Sequence, residues 1–332
     1  MRVGLLEGAA TGVGSLPHTD AAAAADDVLE LLPDLPAIPS LPRRSPAERM
    51  LAQASVGIAG VEADADGCIA VDGSRFDADA AIVPDLDHDA FGGLRAFLAA
   101  AAGRSGPVKW QCTGPVTLGL ALHRRGVGAA DAFAVAGRAV SAHIHAVQSA
   151  VAGALPAATQ VIVVDEPGLT VLMHPNFPLA TDAAIDLVSA ALVAAQRGVA
   201  GVHCCGATDW PAVLAAGPAL LSLPVDVGIA EAAGFLATYL DGGGWVAWGV
   251  IPTDGPVGTE PDRHWRALAA LWCELAAGGC DVVRLRRQSL ITPACGLGLH
   301  DPDQARQVLA MAVKLARRVE GQALATQLSL GA

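Results

Sequence analysis

Short apolar runs rich in β-branched residues recur along the 332-residue chain, separated by Ala-rich segments of helical period. This alternation is the feature that most constrains the fold. A strand buried on both faces reads as a continuous apolar run, and parallel neighbours need a crossover helix between them. The runs fall near 11–17 (TGVGSLP), 36–41 (PAIPSL), 107–114 (PVKWQCTG), 159–165 (TQVIVVD), 199–204 (VAGVHC), 219–225 (ALLSLPV), 244–251 (GWVAWGVI) and 288–294 (QSLITPA). Helical patterns cover 20–32, 46–54, 90–103, 127–153, 181–198, 209–216, 228–240, 262–278 and 302–320. Eight strands, each followed by helix, is the count of an α/β chain folded as a (β/α)8 TIM barrel. A doubly wound open sheet alternates in a similar way. The barrel is preferred on the count and on where the polar residues fall: Ser15, His18, Asp165, Glu166, His203, Cys205, Asp226, Asp254 and Cys295 all sit at the C-terminal ends of runs, the face on which barrels place their chemistry. Residues 55–77 alternate around Asp-Gly turns and read as an inserted β-hairpin. No composition shift marks a linker, so residues 1–332 read as a single domain.

Charge and composition exclude several functions. Thirty-three acidic against 21 basic residues, a net charge of −12, leave no basic stripe to track a phosphate backbone, so no nucleic-acid partner is expected. The longest stretch without Asp, Glu, Lys or Arg, Ala139 to Val164, holds His143, His145, Gln148, Pro156 and Gln160 and changes period partway. It reads as a buried helix followed by a strand, not a membrane span. Glu7 stands where a signal peptide would carry its apolar stretch, so a cytoplasmic location is expected. Seven cysteines without framework spacing favour reduced thiols or metal ligands over disulfides.

In an extended strand His203 and Cys205 point to one side and Cys204 to the other, so an imidazole and a thiol converge on one point. Cys295, at the end of the last run, faces them across the mouth of a closed barrel. Three ligands with one open position suit a catalytic zinc ion. The same residues also suit a plain core, with Cys as a small hydrophobe and His203 satisfying a carbonyl. The adjacent acids Asp165 and Glu166, fixed by Pro167, stand where an ammonium group or a proton is handled, or where Asp165 caps a turn. Asp226 is either a further metal ligand or a helix N-cap. Cys68, Cys112, Cys273 and Cys280 read as structural thiols.

Gly14-Ser15-Leu16-Pro17, Val108-Lys109 with Thr113-Gly114-Pro115-Val116-Thr117-Leu118, Asp165-Glu166-Pro167, His203-x-Cys205 and Pro293-x-Cys295-Gly296-Leu297 follow one another in this order. In that order they resemble the C-terminal catalytic barrel of the cobalamin-independent methionine synthases, across almost the whole chain. The resemblance implies a zinc-dependent transfer of a methyl group to the thiol of homocysteine, with zinc on His203, Cys205 and Cys295. It implies that Gly14 and Ser15 hold the amino-acid carboxylate, that Asp165 pairs with the ammonium, and that Thr113 and Gly114 shape the pocket wall. Glu166 belongs to the same substrate-binding set.

Three positions depart from the family pattern. Where the family has a Glu as fourth zinc ligand, this chain offers Asp226. Where the family has a proton-donating His after the seventh strand, it offers Asp254. The family's Gly-Glu after the second strand has no equivalent in register; Glu48 is the nearest carboxylate. The 332 residues read as a single barrel without the additional N-terminal barrel of the long folate-using enzymes, so methylfolate and a corrinoid are both expected as possible donors. The alternatives are a corrinoid:thiol methyltransferase, an enzyme like uroporphyrinogen decarboxylase, and a non-catalytic descendant that binds zinc or a thiol.

Overall fold

The computed structural model describes residues 7–195 and 197–329. An extended segment leads into α1 (Ala21–Leu31), whose N-cap Asp20 accepts the Ala22 N–H at 2.9 Å. A second extended segment, 36–41, is followed by a 3-10 turn (Pro46–Glu48), α2 (Met50–Ser55) and the strands β1 (Val61–Ala63) and β2 (Ile69–Val71). After α3 (Gly92–Ala100) come β3 (Val108–Thr113), α4 (Pro115–Arg124), α5 (Ala129–Ala154), β4 (Gln160–Asp165), α6 (Thr181–Ala194) and β5 (Gly198–His203). The remainder is α7 (Trp210–Ala215), β6 (Leu220–Pro224), α8 (Ala233–Asp241), β7 (Trp245–Ile251), α9 (Asp262–Ala277), α10 (Val282–Arg287), β8 (Ser289–Pro293) and α11 (Pro302–Ser329).

Strands β3 to β8 form one parallel sheet in sequence order, six strands among the described residues. The two remaining runs, near 11–17 and 36–41, form isolated parallel bridges instead: Ala10 to Ile291, Ser15 to Ser40, and Ala37 to Lys109. Gly12, Gly14, Pro17, Pro36 and Pro39 interrupt them, and such residues weaken a strand or remove its ladder donors. The bridges still connect the two edges of the sheet. Thr11 N donates to Ile291 O at 2.9 Å, Leu16 N to Ser40 O at 2.9 Å, and Ile38 N to Lys109 O at 2.7 Å.

The sheet curls around an apolar inner layer that includes Val161, Val163, Val199, Leu220, Trp245 and Leu290. Its outer face, with Ile162, Val164, Val202, Leu221 and Trp248, packs against the helices. With only six Trp, six Phe and one Tyr in the chain, aliphatic side chains carry most of this burial, each worth about 1.5–3 kcal/mol. In α5 the buried positions Ala132, Ala136, Val140, Ile144 and Val151 keep the helical spacing that turns one stripe to the core. No helix among the described residues is long and apolar enough to cross a membrane.

The inserted hairpin lies inside 55–77, with β1 and β2 antiparallel. Its turn is set by Asp64, whose carboxylate accepts the N–H groups of Asp66 and Cys68, both at 2.9 Å, and by Gly67 at φ +70°. Two helices were not foreseen. Helix α4 starts at Pro115 in its first turn, directly after a run read as strand, and α10 is a Val- and Arg-rich turn capped by Asp281.

Candidate metal centre and active-site cavity

Register brings the chemistry together. Thr113, Asp165 and His203 are Cα partners across β3, β4 and β5, and Ser222 of β6 is the next partner in the row. Thr113, Asp165 and His203 are the last residues of their strands. The chain leaves β5 at His203, and two residues later Cys205 returns to the same side. Cys295 arrives from the loop after β8. The ligand atoms of His203, Cys205 and Cys295 lie within 4.8 Å of one another, and no other such group of three occurs among the described residues.

His203 is buried, with Nδ1 placed 2.9 Å from Ser222 Oγ, while its Nε2 is buried and has no hydrogen-bond partner. An imidazole fixed through one nitrogen and unpartnered at the other is the usual state of a metal-binding histidine. The contact with Cys295 holds the Cys205 thiol below the ordinary range, and the same contact pushes Cys295 up to about 12. The two sulfurs are therefore in direct contact, with their acidities pushed in opposite directions. One nitrogen and two sulfur donors with room for a fourth ligand fit zinc.

The cluster opens on a cavity of about 630 Å³, also lined by Ser15, Gln111, Thr113 and Asp165. Burial raises the Asp165 carboxyl above its usual range, opposed by the charges of His203 and Lys109, and its Oδ1 is buried without a partner. Lys109, on the inner face of β3, donates from Nζ to Val13 O at 2.6 Å and to Gln111 Oε1 at 3.3 Å. Burial lowers it to about 8, against the pull of Asp165 and Cys112. Ser15 sits on the cavity wall against Gly296, where an added Cβ would lie 2.1 Å from Ser15 Oγ.

Other expected site residues lie elsewhere. Gly14 is behind the wall: at φ +150°, a Cβ there would fall 1.9 Å from Gln111 Nε2. Thr113 lines the cavity, but its Oγ1 donates to Met50 O at 2.7 Å. Gly114 makes room for the Glu166 carboxyl, which a Cβ would approach to 2.2 Å. Glu166 does not reach the cavity. It is fully buried beneath the N-terminus of α4, where Oε1 accepts Val116 N at 2.8 Å and Oε2 accepts Thr117 N at 2.8 Å and Thr117 Oγ1 at 2.5 Å. Burial raises it to about 7 against these bonds. Asp226 is exposed in the turn after β6, outside the cluster. Asp254 is exposed in a separate cleft with His300. Glu48 borders the cavity, but Arg44 Nε at 2.5 Å, Leu41 N at 2.8 Å and Gly93 N at 3.3 Å occupy its oxygens.

Among solved structures the chain is similar to a B12-independent methionine synthase from Shewanella sp. W3-18-1 in complex with selenomethionine. The TM-score is 0.66, with 15% identity, over 96% of this chain and 99% of that one. The likeness is one of fold. No family model matches the sequence, and no curated protein does. The methionine-synthase-like fold extends over nearly the whole chain.

Proposed function

We propose that the chain is a zinc-dependent methyltransferase that moves a methyl group from a methylfolate or a corrinoid onto the thiol of homocysteine or a similar small amino thiol. One observation carries the reading: His203, Cys205 and Cys295 converge within 4.8 Å on the wall of a cavity, with a buried imidazole nitrogen left without a partner. The fold of a methionine synthase, in a neighbour that holds the amino acid selenomethionine, supports it. The same reading takes the segments near 11–17 and 36–41 as the first two strands of an eightfold barrel, 1–332 as one domain, and the cytoplasm as its place.

Zinc on His203 Nε2 and the two Sγ atoms would supply the charge that keeps a substrate thiol as thiolate near neutral pH. The chain's own groups do the positioning. Asp165 accepts the substrate ammonium on the part of its carboxylate that borders the cavity, and Ser15 with the adjoining backbone takes the carboxylate. Thr113 closes the wall beside them. With the amino acid fixed at both ends, its sulfur attacks the donor methyl carbon in line, and the carrier leaves as the new carbon–sulfur bond forms. Cys205 and Cys295 would each have to be deprotonated to hold the ion, so metal binding would release protons. Glu166 buttresses the site from behind, and the exposed Asp226 and Asp254 take no part.

Elemental analysis of wild type and Cys295→Ala, with a transfer assay using homocysteine and either methylfolate or methylcobalamin, tests this. The expected result is about one zinc per chain, as a three-ligand catalytic site requires, lost in the variant together with transfer. No zinc in the wild type after zinc is supplied would overturn the mechanism. Zinc without transfer from either donor would leave a thiol-binding protein.

A further inference from the structure

The cavity is far larger than a small amino thiol needs, since pockets of about 300–1,000 Å³ hold drug-sized ligands. Its rim also carries charge. The loop before α2 holds three arginines, and they differ in their partners. Arg44 is neutralised, with Nε on Glu48 Oε1 at 2.5 Å and Nη2 on Asp89 Oδ1 at 2.7 Å. Arg43 and Arg49 line the cavity, are exposed, and form no ion pair among the described residues.

Each is instead steadied by one backbone carbonyl. Arg43 Nη2 donates to Leu299 O at 3.0 Å, across to the loop after β8, and Arg49 Nη1 donates to Asp66 O in the hairpin turn. A guanidinium has five N–H donors in a fixed fork, so each head is held in place with most of its donors unspent. Among the described residues, none of the acids nearby forms an ion pair with either arginine. Glu48 pairs with Arg44, Asp64 accepts the backbone of its own turn, and Asp165 lies at the strand ends beside His203. In a chain of net charge −12, two cations without acid partners on one rim mark a place for an anion.

We propose that Arg43 and Arg49 hold an oxyanion, carboxylate or phosphate, on the methyl donor. The donor is then a small molecule with its anionic end at the rim and its methyl carbon at the cysteine pair. That the anion belongs to a methyl donor rests on the transferase reading; the anion site itself rests on the arginines.

The test is calorimetric titration of the full-length protein, at low salt, with tricarballylate and with inorganic pyrophosphate. Wild type, R43Q, R49Q, R43Q/R49Q and the remote surface variant R75Q are compared. The thiolate absorption of the cobalt(II)-loaded proteins is recorded in parallel. The expected result is binding to wild type and R75Q that weakens with added salt, by about threefold in each single variant and tenfold or more in the double one. The cobalt spectrum should be the same in all five. The tighter probe identifies the tail as carboxylate or phosphate. No binding of either probe at millimolar concentration, or equal binding by R43Q/R49Q, would overturn the proposal. Anion binding without a thiolate–cobalt band would sink the transferase reading and leave the anion site standing.

Discussion

Ser222 Oγ lies 2.9 Å from His203 Nδ1, and this contact decides which imidazole nitrogen faces the two sulfurs. When Nδ1–H donates to the serine, Nε2 carries the free lone pair that a metal takes. Ser222→Ala removes that bond without touching a ligand atom. Zinc affinity should fall by about 10- to 100-fold while the fold is kept. Competition against a chromophoric chelator measures it, and an unchanged affinity would show that packing alone sets the tautomer.

Asp165 lines the cavity at the end of β4, and its buried Oδ1 has no hydrogen-bond partner among the described residues. Asp165→Asn keeps the shape and removes the charge that the substrate ammonium needs. The expected effect is a rise in KM for the amino thiol of about tenfold or more, the scale of a charge-assisted contact of about 1.5–3 kcal/mol. Zinc content should be unchanged. Because burial raises the Asp165 carboxyl, binding of the amino thiol should weaken as pH falls through that raised range in wild type and stay flat in the variant. A variant with normal KM would place the ammonium elsewhere.

Much of this was legible in the sequence, for identifiable reasons. Runs such as Gln160–Asp165 are long and β-branched enough to announce a buried strand, and side-chain alternation is enough to put His203 and Cys205 on one side. The first two runs read as strands but make only isolated bridges, because Gly12, Gly14, Pro36 and Pro39 break the ladder that their apolar residues suggest. Ser222 gives no signal of its own, being one serine in the apolar stretch LLSLP. Glu166 was misplaced because α4 was not foreseen behind Pro115, and without that helix its buried carboxylate has no partner to find. Arg43 and Arg49 read as ordinary solvated loop charges until the cavity shows what they border.

Glu166 yields a stability prediction with a definite sign. Its carboxyl is raised from 4.5 to about 7 in the fold, so the contribution of this group is fully present below about pH 4.5. That contribution is lost as pH rises to 7, because the unfolded chain ionises first. Glu166→Gln cannot follow this titration. Its amide NH2 also faces an N–H of Val116 or Thr117, which should destabilise it by about 1–3 kcal/mol. The gap between wild type and variant in urea denaturation should therefore be widest near pH 4.5 and narrow toward pH 8. A gap that widens with pH would mean that the carboxylate is ionised in the folded protein throughout.

Gly14 holds the wall behind Ser15 by having no side chain. At φ +150° it occupies backbone space that L-residues rarely adopt, and a Cβ would overlap the Gln111 amide at 1.9 Å. Gly14→Ala should cost about 1–3 kcal/mol from the backbone and more from the clash. The two costs are separable. In Gly14→Ala/Gln111→Ala the clash is gone and the backbone cost remains, so the double variant should be more stable than the sum of the single changes predicts. If denaturation shows the two changes to be additive, the amide moves aside at no cost and Gly14 is required for its backbone angle alone.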